Sequence, residues 1–96
     1  MELLSFEWDE DKNRINQQKH GVSFEEALSV FHDVDARDFY DPVHSEDEDR
    51  FLLLGMSDRA RILVVCECSR KRGAIIRIIS ARKADKREQQ AYRRLK

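Results

Sequence analysis

The sequence predicts an α+β domain in which one small twisted antiparallel sheet, of four to five strands, carries two N-terminal helices and one C-terminal helix. Two observations lead to this fold class. The second half of the chain holds consecutive aliphatic and β-branched segments joined by short turns, a pattern typical of an antiparallel meander. The beginning and end of the chain instead show helix-capping patterns before polar stretches. We expect the helices to lie mainly on one face of the sheet, leaving the other face open for chemistry.

The N-terminal region predicts a short strand followed by a surface helix. Leu3–Trp8 alternates apolar and polar residues as a half-buried strand does. Asp9 is suited to cap a helix over Glu10–His20, and Gly21 to end it. Because Ile15 is the only clearly apolar residue in that helix, the helix must lie on the surface.

The next segment predicts a second helix and a weak edge strand. Ser23 and Glu26 have the spacing of a capping box, which starts a helix running to about Phe31. Asp35–Tyr40 is then compatible with an edge strand, which Asp41-Pro42 would end.

The second half of the chain predicts the meander and the last helix. A polar loop, His44–Arg50, leads into the first apolar segment. The predicted elements that follow are the strands Phe51–Met56, Arg61–Arg70 and Gly73–Lys83, and a helix over Ala84–Lys96 with a capping box at Asp85 and Glu88.

The last of these strands, Gly73–Lys83, is apolar on both faces, so we expect it at or near the centre of the sheet. Strict alternation places the side chains of Arg77 and Arg82 on opposite faces of this strand. Arg77 interrupts a run of isoleucines, and an unpaired guanidinium in a core is too costly to keep. It therefore either meets a carboxylate or opens onto a cleft that binds an anion.

Composition limits the class of protein. The 96 residues, 41% hydrophobic and 39% charged, predict a single domain over residues 1–96. The net charge of −1 hides an acidic segment, Asp33–Asp49, and a basic half after Arg59 that is suited to bind phosphate. No segment is apolar enough to span a membrane. Cys66 and Cys68 are too close in one strand to pair, and indicate core thiols in a reducing cytoplasm.

Four ordered motifs resemble the BrnT family over nearly the whole chain. They are F-E-W-D-E-x-K-N at Phe6–Asn13, K-H-G-V-S-F-E-E-A at Lys19–Ala27, H-S-x-x-E-x-R-F at His44–Phe51 and I-R-I-I-S-A-R-K-A at Ile76–Ala84, with Glu88 and Tyr92 beyond. The resemblance implies a RelE-like fold and a growth-arresting toxin that cuts RNA without a metal or another cofactor. It also implies a BrnA-like ribbon-helix-helix antitoxin, present as a dimer in a heterotetramer with the toxin. Operator DNA would be bound only through that antitoxin.

Metal-free RNA cleavage needs a proton acceptor for the ribose 2′-hydroxyl, a proton donor for the leaving oxygen, and cations on the phosphate. His44, Glu48 and Arg50 have even spacing, so an extended chain presents them on one face. The acceptor is Glu48 or His44, and Arg50 serves the phosphate. Arg77 is the stronger of the two remaining arginine candidates, with Arg82 placed at the strand end. Glu48 and Arg50 are equally compatible with simple pairing to neighbouring strands.

Further candidates for RNA binding come from the first strand, the first helix and the last strand. The candidates are Trp8, Lys12, Lys19, His20 and Ser80. Three of them also have a structural interpretation, because Trp8 can close the core, His20 can cap the helix end and Ser80 can be a sheet hydroxyl.

Two other classes of function stay open at this point. One is a non-catalytic module that binds RNA or protein. The other is a metal-dependent nuclease using the acidic run Glu46–Asp49 with His44, although contiguous residues alternate in direction and converge poorly on one ion. No metal ligands are predicted. Cleavage of RNA in excess chelator separates the three classes.

Overall fold

The chain forms a strand and two helices, then an edge strand, a three-stranded meander and a last helix. The computed structural model describes residues 5–46, 48–70 and 73–95 and, among these, every side chain except those of Arg70 and Leu95. The strands are β1 (Ser5–Glu7), β2 (Arg37–Tyr40), β3 (Arg50–Met56), β4 (Ile62–Arg70) and β5 (Ile75–Lys83). The helices are α1 (Glu10–His20), α2 (Phe24–Ser29) and α3 (Lys86–Leu95), with 3-10 turns at Val30–His32 and Pro42–His44. Some predicted features lie outside the described residues: the strand start at Leu3, the loop residue Asp47, the turn at residues 71–72, and Lys96.

The five strands form one mixed sheet in the order β1-β5-β4-β3-β2. The strands β2 to β5 are antiparallel neighbours, as the meander predicts, and the α+β class is confirmed. The expectation of a wholly antiparallel sheet is wrong at β1, which runs parallel to β5 with Ser5 opposite Ile75. A parallel pair needs a long connection, and here the chain from α1 through β4 supplies it.

Helices pack on both faces of the sheet. Helix α2 and the turn after it cover a core that includes Leu63 and Val65, whereas Tyr92 of α3 packs with Ile62 and Val64. These two sets alternate along β4 and therefore point to opposite faces. The expectation that the helices lie mainly on one face is wrong, because β3 and β4 are apolar on both faces and each face requires a cover.

Local signals place α1 where the sequence predicts it. The Asp9 carboxylate accepts from the backbone N–H groups of Asp11 and Lys12, and Gly21 ends the helix with a φ of 68°. Inside the helix, the buried Asn16 amide donates to the Ala81 carbonyl at 2.8 Å and accepts from the Ala81 N–H at 3.2 Å. The Asn16 side chain thus supplies hydrogen bonds to the backbone of β5 beyond the part of that strand that pairs with β1. These hydrogen bonds hold α1 beside β5.

The two predicted capping boxes differ in how far they form. At α3, Asp85 and Glu88 each accept a hydrogen bond from the backbone N–H of the other, at 2.8 and 2.9 Å. At α2, Ser23 caps the N–H of Glu26 at 3.0 Å, but the Glu26 carboxylate instead binds the guanidinium of Arg61. Burial favours that partner, since Glu26 is too enclosed to stay charged without a cation.

Candidate active site

A β-bulge brings Arg77 and Arg82 to the same face of the sheet. Cys66 pairs with Ser80 while the next residue, Glu67, pairs with Ile78, so β5 carries one extra residue at this point. Arg77 and Arg82 consequently lie opposite Cys68 and Val64 of β4, which are four residues apart and share a face. The expectation that these arginines point to opposite faces is wrong, because strict alternation does not survive a bulge.

A row of paired residues crosses four strands on this face. Glu7, Arg77, Cys68 and Arg50 are successive partners across β1, β5, β4 and β3. Two strand spacings separate Arg50 from Arg77, so their Cα atoms are about 10 Å apart, with a small cysteine between them. We call the face that carries Arg50, Arg77 and Arg82 the arginine face.

Arg77 and Arg82 are both partly exposed and both meet a carboxylate. Arg77 donates to Glu7 at 2.8 Å, with 28% of its side chain exposed. Arg82 makes a bidentate pair with Glu88 at 2.7 and 2.9 Å, which links β5 to α3 and raises the pKa of the guanidinium. Arg77 therefore meets a carboxylate, the first of the two alternatives offered for it, and its guanidinium still keeps some exposed surface.

His44, Glu48 and Arg50 do come together, although in a folded loop instead of one extended strand. They line an open pocket of about 310 Å³ with Val43 and Glu46. A guanidinium nitrogen of Arg50 lies 3.9 Å from the Glu48 carboxylate. The three side chains thus border one cavity at the edge of the arginine face.

Asp41 holds the His44 ring and was not predicted as a site residue. His44 Nδ1 lies 2.8 Å from Asp41 Oδ2, and this hydrogen bond lowers the pKa of the carboxyl. Because a carboxylate only accepts, Nδ1 carries the proton, and Nε2 is the ring nitrogen that this hydrogen bond does not use. The three-residue spacing in D-P-V-H was the available signal, obscured by the role of Asp41-Pro42 as a strand stop.

The interior end of Arg50 is incompletely satisfied. Its Nε atom is buried and has no hydrogen-bond partner among the residues that the structure describes. Arg50 and Asp41 both lie close enough to Cys66 to act on its thiol, whose pKa is raised mainly by burial. A buried donor of this kind ordinarily has an acceptor, and the described residues supply none for it.

The predicted cations of α1 form a second pocket beside β5. Lys12, Lys19 and His20 line a cavity of about 170 Å³ together with the bulge residue Ile79 and Ser80. Ser80 belongs to both regions, since it is also the β5 partner of Cys66 on the arginine face. Ser80 therefore links the pocket beside α1 to the arginine face.

Trp8, by contrast, is committed to packing. Its ring meets Phe24 edge-on at 6.1 Å between centroids, and its Nε1 donates to Glu10 at 3.0 Å. The geometry favours the structural interpretation, in which the indole closes the core beside α1.

Glu67 is a buried carboxyl that the sequence analysis did not single out. It is 4% exposed, and its Oε2 atom finds no hydrogen-bond partner among the described residues. Burial, followed by the charge of Asp38, raises the pKa of Glu67 to about 7. The register with Phe51 and Ile78 places it on the face opposite the arginines. A lone glutamate in an apolar strand was the signal available in the sequence.

We expect this carboxyl to make stability fall as the pH rises from about 4.5 to 7. Its pKa is near 4.5 when unfolded and about 7 when folded, so the native state binds more protons in that window. The full loss is of the order of 3 kcal/mol at 1.36 kcal/mol per pKa unit. Urea unfolding at pH 5 and at pH 8 measures this loss. The free energy of unfolding of Glu67→Gln, relative to that of the wild type, should be higher at pH 8 than at pH 5. An equal difference at both pH values would contradict the assignment.

The described residues contain no group of three or more His, Cys, Asp or Glu side chains placed to hold a metal ion. Nor does any described helix have the length and apolar character needed to cross a membrane.

Comparison with known proteins defines the class. A family model described as the ribonuclease toxin BrnT of type II toxin-antitoxin systems matches residues 8–88. The 1.1 Å crystal structure of the Brucella abortus ribonuclease toxin BrnT resembles this fold with a TM-score of 0.61 and 25% identity. The alignment covers 86% of this chain and 99% of that chain. Among curated proteins, no sequence matches this chain significantly.

The fold and the family match define a ribonuclease toxin of a type II toxin-antitoxin system. The chain belongs to the BrnT family. Membership confirms the resemblance carried by the four motifs, and implies an RNA substrate and an antitoxin partner. The expected likeness to RelE stays a prediction.

Proposed function

We propose that the chain is a metal-independent endoribonuclease whose reaction takes place where the pocket of His44 and Glu48 meets the arginine face. The observation that carries the proposal is the row joining Arg50 to Arg77 on one face of the sheet, since Arg50 also lines the pocket of His44 and Glu48. Two guanidinium groups on one face suit a phosphate that gains charge in the transition state.

The ribose 2′-hydroxyl attacks the adjacent phosphorus and gives up its proton, and the leaving 5′-oxygen takes one up. His44 and Glu48 share these two transfers, one accepting and the other donating, because both line the same pocket. Asp41 orients the imidazole through Nδ1. Arg50 and Arg77 hold the pentacoordinate phosphorane, and Arg82 contacts a neighbouring phosphate. The products are a 2′,3′-cyclic phosphate and a 5′-hydroxyl.

The pocket of Lys12, Lys19 and His20 binds the RNA backbone beyond the cleaved bond. Its cations are exposed at the surface of α1, where phosphate oxygens reach them without sequence preference. Ser80 connects this pocket to the arginine face. Trp8 contributes through packing. The antitoxin is a BrnA-like ribbon-helix-helix protein that binds the toxin as a dimer in a heterotetramer and contacts operator DNA itself.

Cleavage of RNA by the purified chain in excess EDTA tests this proposal. We expect unchanged rates, with 2′,3′-cyclic or 3′-phosphate ends. Loss of cleavage restored by Mg²⁺, with 3′-hydroxyl and 5′-phosphate ends, would indicate activated water on a metal and contradict the proposal. Binding of RNA without cleavage would indicate a non-catalytic module. Glu48→Gln, which keeps the shape of the side chain and removes its basicity, should lower the rate without weakening RNA binding.

A further inference from the structure

An apolar groove separates the edge strand β2 from helix α3. It has a volume of about 310 Å³, and its floor and walls include Phe39, Leu52, Leu54 and Ala91. Phe39 is 47% exposed despite lying on the same face as Leu52, its partner in β3. A large aromatic ring left open above an apolar floor is typical of a surface that a partner covers.

The strand that forms one wall is itself uncovered. All four residues of β2 are exposed, and in the order of the sheet no described strand lies on its outer side. Edge strands of this kind are commonly protected in the functional assembly of a protein. The groove and the free edge are therefore adjacent parts of one incomplete surface.

The rim of the groove is basic. Arg87 lines it from α3, and Arg94 lies seven residues further along the same helix, hence on the same side. The acid on this rim, Glu88, is already engaged by Arg82. Charge complementarity thus favours an occupant that is acidic beside its apolar side chains.

The groove also adjoins the arginine face. Phe39, Leu52, Cys66 and Ser80 are successive partners across β2 to β5, forming a row parallel to that of Arg50 and Arg77. The two rows are two residues apart along the strands, or about 7 Å. A segment long enough to fill the groove therefore reaches the arginines.

We propose that this groove binds an amphipathic segment of the antitoxin, with apolar side chains on Phe39 and Leu52 and acidic side chains on the rim arginines. The inference rests on the antitoxin partnership implied by the family and adds the surface that carries it. Bound there, the segment excludes RNA from Arg50 and Arg77, so neutralisation needs no rearrangement of the catalytic groups.

The test pairs two exposed aromatics of the same strand. Phe39→Glu places a charge in the groove, whereas the matched control Tyr40→Glu places one on the opposite face, where Tyr40 is 52% exposed. Titration with the cognate antitoxin should show at least a 100-fold weaker Kd for Phe39→Glu. Tyr40→Glu should change Kd less than about 3-fold, and RNA cleavage by Phe39→Glu should stay at the wild-type level.

A second pair guards against a folding defect in β2. Arg87→Glu reverses a charge on the rim, and Arg93→Glu reverses one that borders a different cavity of α3. Arg87→Glu should weaken binding about 10-fold, more at low salt than at high salt, and Arg93→Glu should not. Normal antitoxin binding by both Phe39→Glu and Arg87→Glu would contradict the groove as the binding site. The proposal that the toxin binds an antitoxin would still stand. A wild-type toxin that failed to bind the antitoxin would overturn both.

Discussion

Arg77→Ala is expected to lower the rate of RNA cleavage about 10²- to 10³-fold in a protein that still folds. The guanidinium is one of the two cations of the row that crosses the arginine face, the other being that of Arg50. Folding should survive because the side chain is 28% exposed and the carboxylate left behind, on Glu7, is more exposed still. Arg77→Lys should restore little activity, since an ammonium lacks the planar fork that binds two phosphate oxygens.

Two controls distinguish this role from a structural ion pair. Arg14→Ala removes an equally positive side chain, which pairs with Asp11 on the exposed side of α1, and should leave the rate near that of the wild type. Glu7→Gln breaks the pair with Arg77 but keeps the guanidinium, so cleavage should persist. If Glu7→Gln and Arg77→Ala impair stability alike and neither changes cleavage, Arg77 is structural.

Much of the secondary structure follows from local chemistry that a single sequence displays. The Asp9 cap, the Gly21 stop and the Asp85–Glu88 box bound their helices as predicted. The apolar runs of β3 to β5 likewise define the meander. These signals act between residues a few positions apart, so they are readable without knowledge of the fold.

The arrangement of the site depended on contacts between distant residues. The bulge that brings Arg82 beside Arg77 is set by the pairing of β4 with β5, and alternation along β5 alone predicts the opposite. In the same way, the Glu26 carboxylate does not complete the predicted capping box, because it binds the guanidinium of Arg61, 35 residues further along the chain. A local rule is lost where a long-range contact stabilises the residue more strongly.

The His44 pocket was predictable from the sequence in its membership but not in its geometry. The motif placed His44, Glu48 and Arg50 in one site, and the structure brings them to one cavity. The expected mechanism of convergence, an extended chain, does not apply, because a 3-10 turn carries His44 and positions it over Asp41. Asp41 could be recognised only once that turn was known.

The central claim is that the ribose 2′-hydroxyl of the RNA attacks the phosphate held on the arginine face. The most direct measurement uses an RNA oligonucleotide in which the nucleotide preceding a mapped cleavage site has a single 2′-deoxy substitution. We predict that cleavage disappears at that bond, while binding and cleavage at other sites in the same oligonucleotide persist. Cleavage of the substituted bond at the unmodified rate would show that another nucleophile attacks, and would contradict the account.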